Sequence, residues 1–156
     1  MGKLKLDFDG MDKVINRLSK LEKDIKPVTE KALRESHKIV TEKAAESVLR
    51  SNLPAHGKFS HGDTARSLRK DAEILWNGSQ ATVHVGFDIS NGGLPSIFMM
   101  YGTPRYMKNQ KMYNAFYSKR TLDEIKELQA RIFYEELRKF DWWIRHLKGG
   151  FFFNGN

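Results

Sequence analysis

The sequence predicts an α+β fold in one domain, and three features predict it. Two long stretches, residues 10–50 and 122–147, repeat apolar residues every three or four positions; between them two short apolar runs are joined through Asn77-Gly78; glycine and proline gather where the helical period breaks. A chain of 156 residues has the usual length of one domain with a real core. The domain is placed at residues 1–150, and residues 151–156 form a C-terminal tail.

At the start, Leu4, Leu6 and Phe8 alternate with Lys3, Lys5 and Asp7, the pattern of a short half-buried strand. Asp9 then stands as the N-cap of a helix, with Asp12 in its first turn. Met11, Val14, Ile15, Leu18, Leu21 and Ile25 form its apolar stripe. Pro27 interrupts the stripe where a new helix can begin. Val28, Ala32, Leu33, Ile39, Val40, Ala44 and Val48 carry a second stripe to about Leu49, so this region holds two helices or one kinked helix.

Residues 51–63 contain Pro54, Gly57 and Gly62 with His56, Lys58 and His61 between them, and read as a polar loop. Asp63 is the expected cap of a short helical piece, Thr64 to Arg69. The runs Ala72–Trp76 and Ala81–Phe87, joined by Asn77-Gly78-Ser79-Gln80, give a strong hairpin signal. Val83 and Val85 face one way, Thr82 and His84 the other. After the loop Asn91–Pro95 comes Ser96–Tyr101, an expected buried run whose period does not separate helix from strand. Gly102-Thr103-Pro104 closes it. Thr121 and Glu124 read as a capping box. Leu122, Ile125, Leu128, Ile132, Leu137, Phe140, Ile144 and Leu147 then extend a long helix to Gly149-Gly150.

Hydrophobic residues at 40% and charged residues at 29% are ordinary for a globular protein. No segment approaches the roughly 18 unbroken apolar residues of a membrane helix, so no membrane partner is expected. Met1 to Asp7 lacks the apolar region of a secretory signal. Leu6 stands where a myristoylation motif carries Ser or Thr. With Cys at 0, disulfides and thiolate metal sites are excluded. The net charge of +8 fits a nucleic acid, an anionic surface or an acidic protein, and its scatter along the chain leaves these open.

Candidate chemistry is sparse. Of the histidines, His56 and His61 share a loop with Asp63, but without metal-ligand spacing. His37 and His146 are expected at helix boundaries and His84 on the polar side of its strand. Gly86 and the pair Gly92-Gly93 read as hairpin glycines rather than a phosphate loop. Asp123, Glu124, Glu127, Glu135 and Glu136 read as i,i+4 surface partners of Lys and Arg. No catalytic residue, metal or cofactor is assigned. The segment Tyr101–Tyr117 interleaves Tyr101, Tyr106, Tyr113, Phe116 and Tyr117 with Arg105, Lys108, Lys111, Lys119 and Arg120, the ingredients of single-strand nucleic-acid binding. The alternative, which residue types favour, is a loop pinned to the core by its aromatics.

Five motifs follow one another in a distinctive order. They are Gly10 after the first strand; Gly62-Asp63-Thr64-Ala65-Arg66-Ser67-Leu68; Val83-His84-Val85-Gly86; Phe98-Met99-Met100-Tyr101-Gly102-Thr103-Pro104-Arg105; and Lys111-Met112-Tyr113-Asn114-Ala115-Phe116. This order, spanning residues 4–147, resembles the neck or tail-completion family of long-tailed bacteriophages, which includes the lambda Z-like minor tail proteins. The family commonly has a Thr-Gly pair at Gly62-Asp63, and often an acidic residue at Met100.

The resemblance implies a non-enzymatic virion protein, assembled in the host cytoplasm into a ring of about six copies, the copy number typical of that family's axis. That ring would complete the tail and join it to the head. The implied partners are other copies of the chain, head-completion proteins, tail-terminator or tail-tube proteins, and DNA in the central channel. Gly86, Gly102, Thr103 and Pro104 are the expected structural turns. His56, Lys58, His61, Arg105, Lys108 and Lys111 are the expected contacts with partners. Phe151, Phe152 and Phe153 beyond the helix stop are read as an anchor, because three adjacent exposed phenylalanines are costly. The competing readings are a nucleic-acid binder using residues 101–120 and a small metal-dependent nuclease using His56, His61 and Asp63.

Overall fold

In the computed structural model the described residues are 25–49, 62–78 and 80–149, with 140–149 described as backbone only. The expected strand Lys3–Phe8, the helix of residues 10–25 and the loop 51–61 lie outside them, apart from Ile25. The fold is α+β. In chain order it comprises α1 (Lys26–Ser47), α2 (Asp63–Arg66), β1 (Ile74–Asn77), β2 (Gln80–Val83), a 3₁₀ turn (Ile89–Asn91), α3 (Pro95–Tyr101), α4 (Gln110–Tyr117) and α5 (Lys119–Gly149).

Helix α1 starts where Pro27 has no N–H to lose. Its inner face packs against α5, α4 and β2. Val28 and Ala32 meet Ile132 and Phe133 of α5 in one apolar cluster. Val40, Ala44 and Val48 meet Ile125, Met112, Ala115, Phe116, Leu68 and Phe87 in a second. Between the clusters lies a polar layer: Gln129, with no exposed surface, donates from Nε2 to Ser36 Oγ at 2.7 Å. Ser36 in turn donates to the Ala32 carbonyl at 2.7 Å. Residues late in α1 therefore face early α5 and the reverse, so the two helices run antiparallel.

The hairpin is fixed by its turn. Asn77 pairs with Gln80 and Ile74 with Val83, and Gly78 between the strands stands at φ 60°, the positive φ that tight hairpin turns require. Trp76 holds the hairpin to α1: its Nε1 donates to Glu30 Oε1 at 3.0 Å, and Lys26 Nζ lies 5.7 Å from its ring centre. Arg34 reaches the Ala72 carbonyl at 3.3 Å.

Several expectations are corrected. Strand β2 stops at Val83 rather than Phe87, because Phe87 leaves the hairpin and pairs with Leu68. Asp63 does not cap α2. Gly62, at φ 77°, precedes the helix without a side-chain cap, Asp63 pairs with Arg66, and α2 ends at Arg66, not Arg69. The Thr121–Glu124 capping box does not form. Helix α5 begins earlier, where Ser118 Oγ accepts from the Thr121 N–H at 3.2 Å; Glu124 instead pairs with Lys43 across the helix interface. Of the acidic surface residues, Glu136 pairs at i,i+3 with Lys139. Ser96–Tyr101 is helical, and Phe98 and Tyr101 are more than half exposed, so it is not a buried run. Gly92 and Gly93 lie outside the hairpin, after the 3₁₀ turn. Ile39 is only half-buried.

His37 is also not a boundary residue: it is buried, 2% exposed. Thr41 Oγ1 and His37 Nδ1 lie 3.3 Å apart, while Nε2 has no partner among the described residues. Burial disfavours the charged imidazole and lowers its pKa below 6.5, against a weaker opposing pull from Asp71. As pH falls the unfolded chain therefore takes up this proton first. The stability held above 6.5 declines as pH falls toward the folded-state value. We expect the urea midpoint to drop between about pH 7 and 5, and His37→Gln to flatten that slope. An identical slope in the variant would assign the acid sensitivity to other groups.

Candidate functional site

One corner of the molecule gathers most of the sequence motifs. Its first wall is a stitch between distant segments. The Asp88 N–H donates to the Ser67 carbonyl at 2.8 Å, and the Arg69 N–H to the Gly86 carbonyl at 3.0 Å. These bonds flank the Leu68–Phe87 bridge, and both bridging side chains enter the core. Gly86, at φ 141°, lets the chain turn from the hairpin into this pairing.

Asp88 organises the next turn. Its carboxylate accepts from the Ser90 N–H at 3.0 Å and from Asn91 Nδ2 at 2.8 Å, and Arg69 stands 3.6 Å away. The Asn91 amide first, then the Ser90 N–H and Arg69, hold its pKa below the usual value against partial burial. Gly93 is required by contact: a Cβ there would lie 2.5 Å from the Asp88 carbonyl oxygen. The turn delivers Pro95 to the first position of α3.

Gly102 ends α3 at φ 76°, ψ 174°, a region essentially limited to glycine. Thr103 and Tyr106 then exchange backbone hydrogen bonds at 2.8 and 3.1 Å, and Thr103 Oγ1 also accepts from the Tyr106 N–H at 3.1 Å. Pro104-Arg105 form the tip, with Pro at its favoured turn position. Asn109 returns the chain to the core. Its N–H donates to the Met99 carbonyl at 2.6 Å and its Nδ2 to the Ser47 carbonyl of α1 at 3.2 Å. Its Oδ1 accepts from the Met112 N–H at 3.1 Å, capping α4.

The result is an open cleft of about 70 Å³, walled by Val85, Phe87, Ile97, Met100 and Phe116 and rimmed by Arg69, His84, Tyr101 and Tyr117. The Tyr101 and Tyr117 hydroxyls lie 3.2 Å apart. This bond, with burial second, pushes Tyr117 up to about 12. Tyr113 stacks at 5.2 Å from Tyr117 and carries Lys108 Nζ 4.6 Å from its ring centre. The cleft offers apolar contact with a polar rim, the combination that receives an apolar side chain. Among the described residues no group of His, Asp and Glu stands ready to hold a metal ion.

Of the residues singled out from sequence, the corner unites Gly86, Gly102, Thr103 and Pro104. Arg105, Lys108 and Lys111 are exposed beside it. His56, Lys58, His61 and Phe151–Phe153 lie outside the described residues. Sequence reasoning missed Arg69, Asp88, Asn109 and the cleft wall Ile97 and Met100. Asp88 and Asn109 carry a readable signal, since each is an Asx residue just before a helical turn. No family model matches the chain, and no similar protein was found among curated proteins or solved structures.

Gly102 yields the prediction of this site. A Cβ there would approach Lys108 N at 3.0 Å and Tyr106 O at 3.1 Å, in addition to backbone strain of about 1–3 kcal/mol. We expect Gly102→Val to lower unfolding free energy by at least that amount and to raise the protease sensitivity of the 103–108 turn. A stability within 0.5 kcal/mol of wild type, on the order of ordinary surface changes, would remove the turn's dependence on glycine.

Proposed function

We propose that the chain is a structural subunit of a long-tailed bacteriophage neck, a ring of about six copies that completes the tail and joins it to the head, the copy number being the one its family resemblance implies. One observation carries the reading: motifs that resemble the tail-completion family, although far apart in sequence, meet in one corner. The 62–68 element is stitched to the end of the Val83–Gly86 motif by the Ser67–Asp88 and Arg69–Gly86 hydrogen bonds. The 98–105 motif supplies the cleft's Met100 wall, and the 111–116 motif supplies Phe116. Order in sequence has become contact in space, which motifs matched by chance have no reason to do.

The helical spine suits the role. A ring subunit needs a stiff body for lateral packing and surface turns for the rings above and below. Helices α1 and α5 give the first; the turn Gly102–Tyr106 and the exposed Arg105, Lys108 and Lys111 give the second. The role needs no cofactor or catalytic group. Its partners are other copies, head-completion proteins and tail-terminator or tail-tube proteins, and its positive charge suits DNA threading the channel.

A second reading is nucleic-acid binding through residues 101–120. Tyr106 and Met107 are 69% and 95% exposed beside Arg105, which is the stacking-plus-cation arrangement for single strands.

Three tests separate the two readings. Deleting the gene from the phage that encodes the chain should leave full heads and tails that lack their completing ring and do not join. Electron microscopy of intact particles should place a ring of this protein at the neck. Normal particles lacking it would overturn the neck assignment. Tight, salt-dependent binding of labelled single-stranded DNA by the purified protein, with normal joining after gene deletion, would favour the second reading.

A further inference from the structure

The cleft and the C-terminal phenylalanines pose linked problems. The cleft is open, and its apolar surface runs on outside it. Tyr101 at its rim, Phe98 and Leu94 follow one another at helical spacing and are 59%, 53% and 49% exposed. An enclosed apolar cavity of roughly 150 Å³ admits benzene; an open cleft of about 70 Å³ seats one aromatic ring with its edge in the mouth. The sequence Phe151-Phe152-Phe153 offers such a ring just beyond α5.

Residues 151–153 cannot reach the cleft of their own chain. Tyr117 lines it, two residues before α5 begins. Helix α5 has 31 residues and carries its far end about 45 Å away. Phe153, four residues past Gly149, reaches about 14 Å further at most, even fully extended back along the helix. That leaves it roughly 30 Å short of the cleft on the same chain.

We propose that the cleft receives a phenylalanine from residues 151–153 of a second copy of this chain, so that copies associate head to tail. Donor and acceptor then occur once each per chain at opposite ends of a stiff helix. Such a contact is heterologous: it leaves one cleft and one tail free on every pair, and it goes on adding copies until a rotation closes the ring. The inference reaches beyond the neck assignment and stands or falls without it.

The chain has no cysteine, so disulfide trapping reads the contact directly in the full-length protein. Phe152→Cys and Met100→Cys are placed together in one chain, leaving two phenylalanines to dock. Under mild oxidation we expect disulfide-linked dimers and higher oligomers whose yield rises with protein concentration. Phe152→Cys paired with Lys126→Cys, exposed on α5, should give at least tenfold less. Tyr101→Cys, at the exposed rim, replaces Met100→Cys in a second variant, so a folding defect at Met100 does not decide the outcome. A disulfide closed within one chain, or linkage no greater than the Lys126→Cys control in both variants, overturns the proposal. Linked oligomers from a protein absent from phage necks would keep the contact and remove only the neck assignment.

Discussion

The α1–α5 interface is held in one register by a buried polar contact. Two apolar clusters on their own would tolerate sliding, since a helix shifted by a turn still presents apolar residues to its neighbour. Gln129 removes that freedom. Its amide is fully buried and finds Ser36 Oγ only when the two helices stand as they do. A slip would leave the Gln129 amide unpaired in an apolar setting, at a cost of about 1–3 kcal/mol, while Ser36 kept its bond to the Ala32 carbonyl. The arrangement is not free of cost even when aligned, because Gln129 Oε1 and His37 Nε2 lack partners among the described residues. A polar layer that specifies register at some expense in stability is a known trade in helical proteins.

From that register the rest of the corner follows. With α5 aligned on α1, Lys43 meets Thr121 and Glu124, and Thr121 Oγ1 donates to the Asn114 carbonyl at 3.1 Å. This fixes the joint at Ser118 and so the position of α4. Asn109, at the start of α4, then reaches the Ser47 carbonyl at the end of α1. The Gly102 turn is thereby pinned at both ends, by Met99 on one side and α1 on the other. The cleft is the gap left between α3 and α4, which flank this turn, and the segment of the Ser67–Asp88 stitch. Its shape is inherited from helix register rather than from its own side chains.

What the sequence made legible divides along the same line. Period and breakers located α1 and α5, and Asn77-Gly78 located the hairpin, because local spacing decides those features. The Thr121–Glu124 box misled because two overlapping patterns were present. Ser118 three residues before Thr121 caps equally well, and contact with Lys43 drew Glu124 away. His37 was misplaced because a lone polar residue on a stripe gives no sign of whether a neighbour covers it. In the candidate site, the glycine turns were readable from residue type, whereas Arg69 opposite Asp88 was not. That pairing depends on Leu68 meeting Phe87, a contact between segments nearly twenty residues apart by sequence number, which no local window contains.

The net charge of +8 acts on a different step from the cleft. Several cations beside the site already have partners: Arg69 stands by Asp88, Arg66 by Asp63, and Lys108 lies over Tyr113. Exposed pairs of this kind contribute about 0–1 kcal/mol and are screened by salt over about 8–10 Å. On the proposed function, exposed charge would act mainly on the rate of encounter with an anionic partner, DNA or acidic protein alike. Residence depends on desolvated apolar contact, and differences in affinity between related contacts lie mostly in the dissociation rate. Among the described residues the surface available for such contact includes the cleft, the adjoining face of α3 and the Tyr106-Met107 turn. A basic surface that gathers partners and an apolar cleft that retains one are compatible on the same small domain. This is why composition alone left the partner undecided, and why the exposed face of α3, not the charge, carries the specific part of the argument.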